Sequence, residues 1–139
     1  TSLGVMYYNG VGVAQDYNEA LRLYKLAAMQ QNPFANYNLG AMYSSGKGVS
    51  QDYKEALKRY RLAAEQGNAV AQLNLGVMYA TGKGTPRNHI EALKWFYLSE
   101  LNGWEDKQKN RELSERNLTP EQIAQAQKLA REWMQENKK

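Results

Sequence analysis

The sequence predicts an all-α fold, a superhelix of antiparallel helix pairs, because the chain repeats itself at a fixed period. Residues 39–64 recur recognisably at 3–28 and at 75–100. The step is 36 residues for the matching glycines and tyrosines, which are Gly4, Gly40 and Gly76 and then Tyr7, Tyr43 and Tyr79. Such a period is typical of solenoids, whose units bury their apolar faces against one another. We expect one domain, 1–139, with repeats at about 3–38, 39–74 and 75–110 and a C-terminal capping helix pair at 111–139.

The first helix of each repeat, helix A, is predicted at about residues 35–45 in the second unit. Leu39, Met42 and Tyr43 share one side of it, and Gly40 allows a neighbour to approach closely. A Gly-Lys-Gly turn at 46–48 follows. Glycines at a helix end supply the left-handed backbone conformation that stops a helix.

The second helix, helix B, is predicted to begin after Asp52, with Glu55 three residues on in the spacing of a capping box. The same pair occurs as Asp16 and Glu19, and as Asn88 and Glu91. An apolar stripe at helical spacing indicates the buried face, formed by Ala56, Leu57, Tyr60, Ala63 and Ala64. Gly67 and Gly103 are placed to end this helix. The first repeat has Gln31 at that position, followed by Asn32-Pro33, which also stops a helix.

The fourth unit departs from the repeat and predicts a polar cap. Residues 106–115 form a strongly polar helix, and Thr119-Pro120 with Gln122 predicts the start of another. Its apolar face consists of Ile123, Ala126, Leu129, Ala130, Trp133 and Met134. We expect the C-terminus to be a true end. We expect the N-terminus to be cut from a longer array, because only Thr1-Ser2 precedes the first Leu-Gly.

Composition excludes several classes of function. There is no cysteine, which excludes disulfides, zinc–thiolate sites and thiol chemistry. No long apolar run predicts a membrane span, and the mean hydropathy is −0.75. The net charge of +4 is spread among interspersed acidic and basic residues, which argues against a nucleic-acid surface. We interpret the basic residues of the second helix B as a solvated outer face: Lys54, Lys58, Arg59 and Arg61.

The pattern L-G-x-M-Y-x-x-G-x-G-V-x-x-D-Y-x-x-A-L-x-x-Y-x-x-A-A, seen at 3–28 and 39–64, resembles the Sel-1-like repeat family. This family is related to the tetratricopeptide repeat. The third unit follows less closely, with Thr85-Pro86, Asn88 and His89 replacing the usual residues. The resemblance implies a right-handed solenoid of bacterial origin that acts as an adaptor for other proteins rather than as an enzyme. Many bacterial relatives are exported, which favours a periplasmic or secreted protein over a cytoplasmic one.

One short motif carries an enzymatic alternative. Ser44 and Lys47 satisfy S-x-x-K, the nucleophile pattern of penicillin-recognising serine enzymes. The partner motifs S-D-N and K-T-G are absent, and the other repeats do not reproduce the pattern. We therefore interpret it as part of the turn and keep a serine hydrolase or penicillin-binding enzyme as the alternative. His89 is the only histidine, so we predict no metal site and no cofactor, and interpret His89 as a surface or packing substitution.

The remaining candidate is a concave groove lined by the A helices. Residues there that are not needed for packing would contact a ligand. By their spacing from Leu39 and Tyr43, these are Asn38, Ala41, Ser44 and Ser45, with the equivalents Ser2, Val5, Tyr8 and Asn9 and then Asn74, Val77, Ala80 and Thr81. Asn can donate to and accept from a peptide backbone. Alternatively, Asn38 and Asn74 hydrogen-bond to the neighbouring repeat.

We therefore predict a non-catalytic scaffold that binds a protein or peptide in the groove, with no nucleic-acid partner and no membrane insertion. A further alternative is a structural module that associates with itself. The first helix leaves Leu3, Met6 and Tyr7 without a preceding unit to cover them, and exposed apolar surface promotes association.

Overall fold

The computed structural model describes residues 2–105 and 109–137, and all regular structure in them is helical. The order is α1 (Ser2–Asn9), α2 (Tyr17–Met29), α3 (Pro33–Ser45), α4 (Tyr53–Glu65), α5 (Ala69–Thr81), α6 (His89–Leu101), α7 (Asn110–Arg116) and α8 (Pro120–Glu136). The helices pack in the pairs α1–α2, α3–α4 and α5–α6, and α2 contacts α3 as α4 contacts α5. This is the all-α solenoid that the 36-residue period predicts.

Each A helix of the second and third units begins at an asparagine cap. Asn32 accepts a hydrogen bond from the backbone N–H of Ala35 at 3.1 Å, and Asn68 does the same for Ala71 at 2.8 Å. The second A helix therefore starts at Pro33, two residues earlier than the sequence pattern suggested. Proline fits the first helical position because the N–H that it lacks would have no partner there.

The B helices begin at the predicted caps. The side chains of Asp16, Asp52 and Asn88 each accept from the backbone N–H three residues on, at 3.1 Å. The glutamates at these positions do not close a capping box but pair with a cation on the next turn: Glu19 with Arg22, Glu55 with Arg59 and Glu91 with Lys94. A complete capping box occurs at α8, between Thr119 and Gln122.

The close approach predicted at Gly40 is present within each helix pair. A Cβ added at Gly40 would lie 2.7 Å from the Tyr60 ring, and one at Gly76 would lie 2.5 Å from Phe96. The aromatic ring of each B helix therefore fills the space left by the glycine of its A helix. Leu39 and Leu75 are fully buried beside these contacts.

The second glycine of each turn joins one pair to the previous one. Gly48 has φ of +77°, and its Cβ would meet Tyr17 at 2.7 Å; Gly84 has φ of +75°, and its Cβ would meet the carbonyl oxygen of Tyr53 at 2.5 Å. Both positions therefore require glycine for two reasons: the backbone is left-handed there, and the neighbouring unit leaves no room for a Cβ atom. The lysine between the glycines of the third turn, Lys83, lies 5.3 Å from the centre of the Tyr53 ring.

The fourth unit covers the last B helix, as a cap must. Residues 106–108, where the sequence pattern placed the start of a polar helix, lie outside the described residues; α7 begins at Asn110. Helix α8 packs on α6 and buries Ala126 and Ala130, and the Trp133 ring meets Trp95 edge to face at 5.8 Å.

The interpretation of the basic residues on α4 as a solvated face is correct for Lys54 and Lys58, which are exposed. It is wrong for the two arginines, which are half-buried. Arg59 donates to Asn36 at 3.3 Å, and Arg61 donates to the Tyr79 hydroxyl of the next unit. These two side chains therefore connect helices rather than cover an outer face.

Candidate functional site

A cavity of about 300 Å³ lies between the first two A helices. Five of the predicted groove residues line it, together with two tyrosines from α2 and α3: Val5, Tyr8, Asn9, Asn38 and Ala41, with Tyr24 and Tyr37. Helices α1 and α3 carry the predicted residues at equivalent positions, which explains why the 36-residue step brings them to one surface. All seven of these side chains are uncharged, so they offer a ligand aromatic rings with hydroxyls, amides and the aliphatic surface of Val5 and Ala41.

Tyr24 is the most deeply buried residue of this cavity, with 2% of its surface exposed. Burial raises its pKa to about 12, and the neighbouring Tyr8 raises it further in the same direction. A phenol so held keeps its proton at physiological pH and remains a hydrogen-bond donor. Tyr8 is fixed in turn by Tyr17, 5.1 Å away between ring centres, and by the Lys47 ammonium at 5.8 Å.

The side chain of Asn38 is available at this cavity. Within the described part of the chain, neither Asn38 nor Asn74 makes a side-chain hydrogen bond, so the alternative in which they tie neighbouring repeats is wrong. The residues two positions earlier do make polar contacts. Gln72 donates to the Ala64 carbonyl of the preceding unit at 3.1 Å, whereas Asn36 accepts from Arg59 within its own helix pair.

A second cavity, of about 220 Å³, lies between α5 and α7. Three predicted groove residues, Val77, Ala80 and Thr81, line it with residues that the sequence pattern did not assign to the groove: His89, Phe96, Asn110, Leu113, Ser114 and Asn117. Thr81 donates to the Val77 carbonyl at 2.8 Å. His89 is half-buried, and its Nδ1 is buried without a partner among the described residues. The unusual fourth unit hid these residues, because α7 does not follow the repeat.

Four predicted groove residues line neither cavity: Ser2, Ser44, Ser45 and Asn74. Ser44 donates to the Ala41 carbonyl at 3.1 Å and hydrogen-bonds to Tyr60, whose pKa is raised mainly by burial. Ser45 donates to the Met42 carbonyl at 3.3 Å. Both of these serine hydroxyls therefore donate to carbonyl groups in the last turns of their own helix.

The structure also shows the surroundings of the S-x-x-K motif. An activated serine needs a base within about 3 Å of its hydroxyl. The partners of Ser44 are a backbone carbonyl and a phenol that keeps its proton, and the Lys47 ammonium lies over the Tyr8 ring of the first unit. Among the described residues, no group of three or more His, Asp or Glu side chains is placed to hold a metal ion. No described helix is both long and apolar enough to cross a bilayer.

Comparison with known proteins agrees with this architecture. The Sel1 repeat model matches residues 1–32, 33–68 and 69–104, so that each unit begins with an A helix. No curated protein matches the chain. Among solved structures, the chain is similar to a Sel1 repeat protein from Oxalobacter formigenes, with 38% identity and a TM-score of 0.72, covering 73% of this chain and 42% of that one.

A second solved structure is c5321, a protective antigen present in uropathogenic Escherichia coli strains that displays an SLR fold. The identity is 32% and the TM-score is 0.85, covering 96% of this chain and 29% of that one. The chain therefore spans less than half the length of either solved relative. The three matched repeats cover residues 1–104 of 139, and on this evidence the chain belongs to the Sel1 repeat family.

Proposed function

We propose that this chain is a non-catalytic scaffold that binds a protein partner through the groove formed by its A helices. Sel1 repeat proteins are generally protein–protein interaction scaffolds. The observation that supports this groove is the cavity between α1 and α3, where the Asn38 amide is free of side-chain hydrogen bonds beside three tyrosines. Aromatic rings with polar tips and amides are the side chains that hold a peptide backbone without requiring charge.

The lining of this cavity limits the charge that a bound ligand can carry. No charged side chain lines it, so a buried charge on the ligand would be left without a partner, at high cost. The occupant that fits is an uncharged stretch of extended peptide. Its backbone N–H and C=O groups would meet Asn38, Asn9 and the Tyr24 hydroxyl.

The test compares two equivalent asparagines. Asn38→Asp places a charge in the cavity. Asn74→Asp makes the same change one repeat later, at a residue that lines neither cavity. A peptide array probed with the wild-type chain would supply the ligand, and fluorescence anisotropy would measure its affinity. We expect at least a tenfold loss for Asn38→Asp and less than a twofold change for Asn74→Asp. Equal affinity for all three proteins would mean that the peptide binds outside the groove and would contradict the proposal.

The non-catalytic part of the proposal rests on the partners of Ser44 and Lys47 described above. A fluorescent β-lactam tests it directly. Absence of a covalent adduct at Ser44 is the expected result, and labelling that disappears in Ser44→Ala would establish the enzymatic alternative.

Self-association is a second candidate function, favoured by a comparison between equivalent residues. Leu3 and Met6 are 48% and 36% exposed, whereas their equivalents Leu39 and Met42 are fully buried. Light scattering over a range of concentrations measures the mass. If the module associates through this surface, Leu3→Lys abolishes the dimer and Val11→Lys does not, because lysine occupies the position of Val11 in the other two turns. A monomeric wild-type chain would contradict this candidate.

A further inference from the structure

A third cavity lies away from the groove, among the second helices of the units. It has a volume of about 360 Å³ between α4, α6 and α8. Its lining is strongly polar, unlike that of the groove, and consists of Arg61, Glu65, Lys94, Trp95, Trp133, Glu136 and Asn137. We call it the B-helix cleft.

Trp95 supplies a donor at this cleft that the protein does not satisfy. The residue is 1% exposed, and its Nε1 is buried with no hydrogen-bond partner among the described residues. The ring is held by Trp133 at 5.8 Å and by the Lys94 ammonium, 4.5 Å from the ring centre. An indole N–H can only donate, so the group that would complete this site is a hydrogen-bond acceptor.

The charge of Arg61 favours an anionic acceptor at this cleft. Lys94 is neutralised by Glu91 at 2.6 Å. Arg61 donates to the neutral Tyr79 hydroxyl, and no carboxylate lies within ion-pair distance of it in the described residues. A half-buried guanidinium without a counter-ion binds carboxylate oxygens more strongly than neutral acceptors.

The carboxylates at the same cleft limit the charge of that anion. Glu65 and Glu136 are exposed lining residues, and they repel a dianion more than a monoanion. Phosphate is therefore disfavoured relative to a single carboxylate.

We propose that the B-helix cleft is a second binding site, which takes one carboxylate group of a peptide. The Arg61 guanidinium and the Trp95 indole N–H donate to its oxygens, and the Trp133 ring contacts the adjoining chain. The carboxylate comes either from a chain terminus or from an Asp or Glu side chain. This site is independent of the groove, because the two share no lining residue.

Nuclear magnetic resonance of the full 139-residue chain tests the proposal through the indole N–H signal of Trp95. The probes are acetyl-Gly-Gly-Gly with a free carboxylate, the same peptide as its amide, acetyl-Gly-Glu-Gly amide and inorganic phosphate. We expect a saturable shift of the Trp95 signal with at least one carboxylate peptide and no saturable shift with the uncharged amide. The peptide that binds more tightly identifies the source of the carboxylate.

Three variants make the result specific. Arg61→Gln is expected to weaken binding at least tenfold. Lys58→Gln removes the same charge from an exposed position on the same helix and is expected to change affinity less than twofold. Glu136→Gln, also at an exposed position, removes a repelling charge and is expected to tighten binding. The proposal is overturned if the uncharged amide shifts Trp95 equally, if phosphate binds more tightly than both carboxylate peptides, or if Arg61→Gln and Lys58→Gln behave alike.

Discussion

The turn glycines of the third unit allow the contact between units to be measured apart from backbone strain. Gly82 and Gly84 have the same φ of +75°. A Cβ at Gly82 would meet nothing closer than 3.6 Å, whereas one at Gly84 would lie 2.5 Å from the Tyr53 carbonyl oxygen of the preceding unit. Replacing each by alanine therefore imposes the same left-handed strain, and only Gly84→Ala forces the two units apart.

The magnitudes follow from these distances. Left-handed alanine costs about 1–2 kcal/mol, partly offset by about 0.4–1 kcal/mol of lost unfolded-state entropy, so Gly82→Ala should cost about 0–1.6 kcal/mol. Overpacking against a backbone atom makes Gly84→Ala about 1–3 kcal/mol more costly than Gly82→Ala. The entropy of unfolding is about 2 cal/mol/K per residue, or about 0.3 kcal/mol/K for this chain. A loss of about 1 kcal/mol in stability therefore lowers Tm by about 3 °C.

Thermal unfolding followed by circular dichroism measures both variants. We expect Tm to fall by about 5 °C or less for Gly82→Ala, and by about 3–9 °C more than that for Gly84→Ala. Equal shifts would refute the reasoning, since they would mean that the Tyr53 contact relaxes without cost and that strain alone matters at this turn.

Two further predictions concern a cap and the buried tyrosines. Asp52→Ala should lower the free energy of unfolding in urea by about 1 kcal/mol, whereas Asp52→Asn should leave it nearly unchanged, because Asn88 makes the same bond in the third unit. The pKa values of Tyr24 and Tyr97 are raised to about 12 by burial. Unfolded tyrosines ionise near pH 10, so the contribution of these two tyrosines to stability should be fully present below about pH 10 and be lost as the pH rises toward 12. Tyr24→Phe should reduce that slope in urea titrations at alkaline pH; an unchanged slope would contradict the burial effect.

The parts of the fold that could be predicted from the sequence depend on near neighbours. The period locates the helix pairs, Asp52 marks its own helix start, and Gly40 indicates the close contact that Tyr60 makes. Each of these features is set by residues within the same unit. The helix start at Pro33 was placed two residues late because the proline was interpreted as a stop signal for the preceding helix rather than as the first residue of the next.

The site was predictable only in part, because it depends on residues that do not repeat. Asn38 and Asn74 occupy equivalent positions, yet Asn38 lines the cavity between α1 and α3, and Asn74 lines neither of the two groove cavities described above. The residue facing it from the previous unit is Tyr8, whose equivalents are Ser44 and Ala80. A pattern search finds which positions face the groove. The depth and polarity of the groove at each position depend on the side chain that faces it from the neighbouring unit, and the period alone does not specify that side chain.

The residues that build this solenoid recur in each unit, whereas the residues that would give it specificity break the repeat. Glycine, alanine and leucine recur wherever one helix approaches another, because packing allows few alternatives there. Trp95 stands where the other units have Arg59 and Leu23, and His89 stands where they have Tyr17 and Tyr53. Both departures place beside a cavity a buried nitrogen that has no hydrogen-bond partner among the described residues. A residue that breaks the repeat and leaves a donor or acceptor unsatisfied lowers stability without improving packing. Such positions are therefore where ligand contacts should be sought first in a repeat protein of this kind.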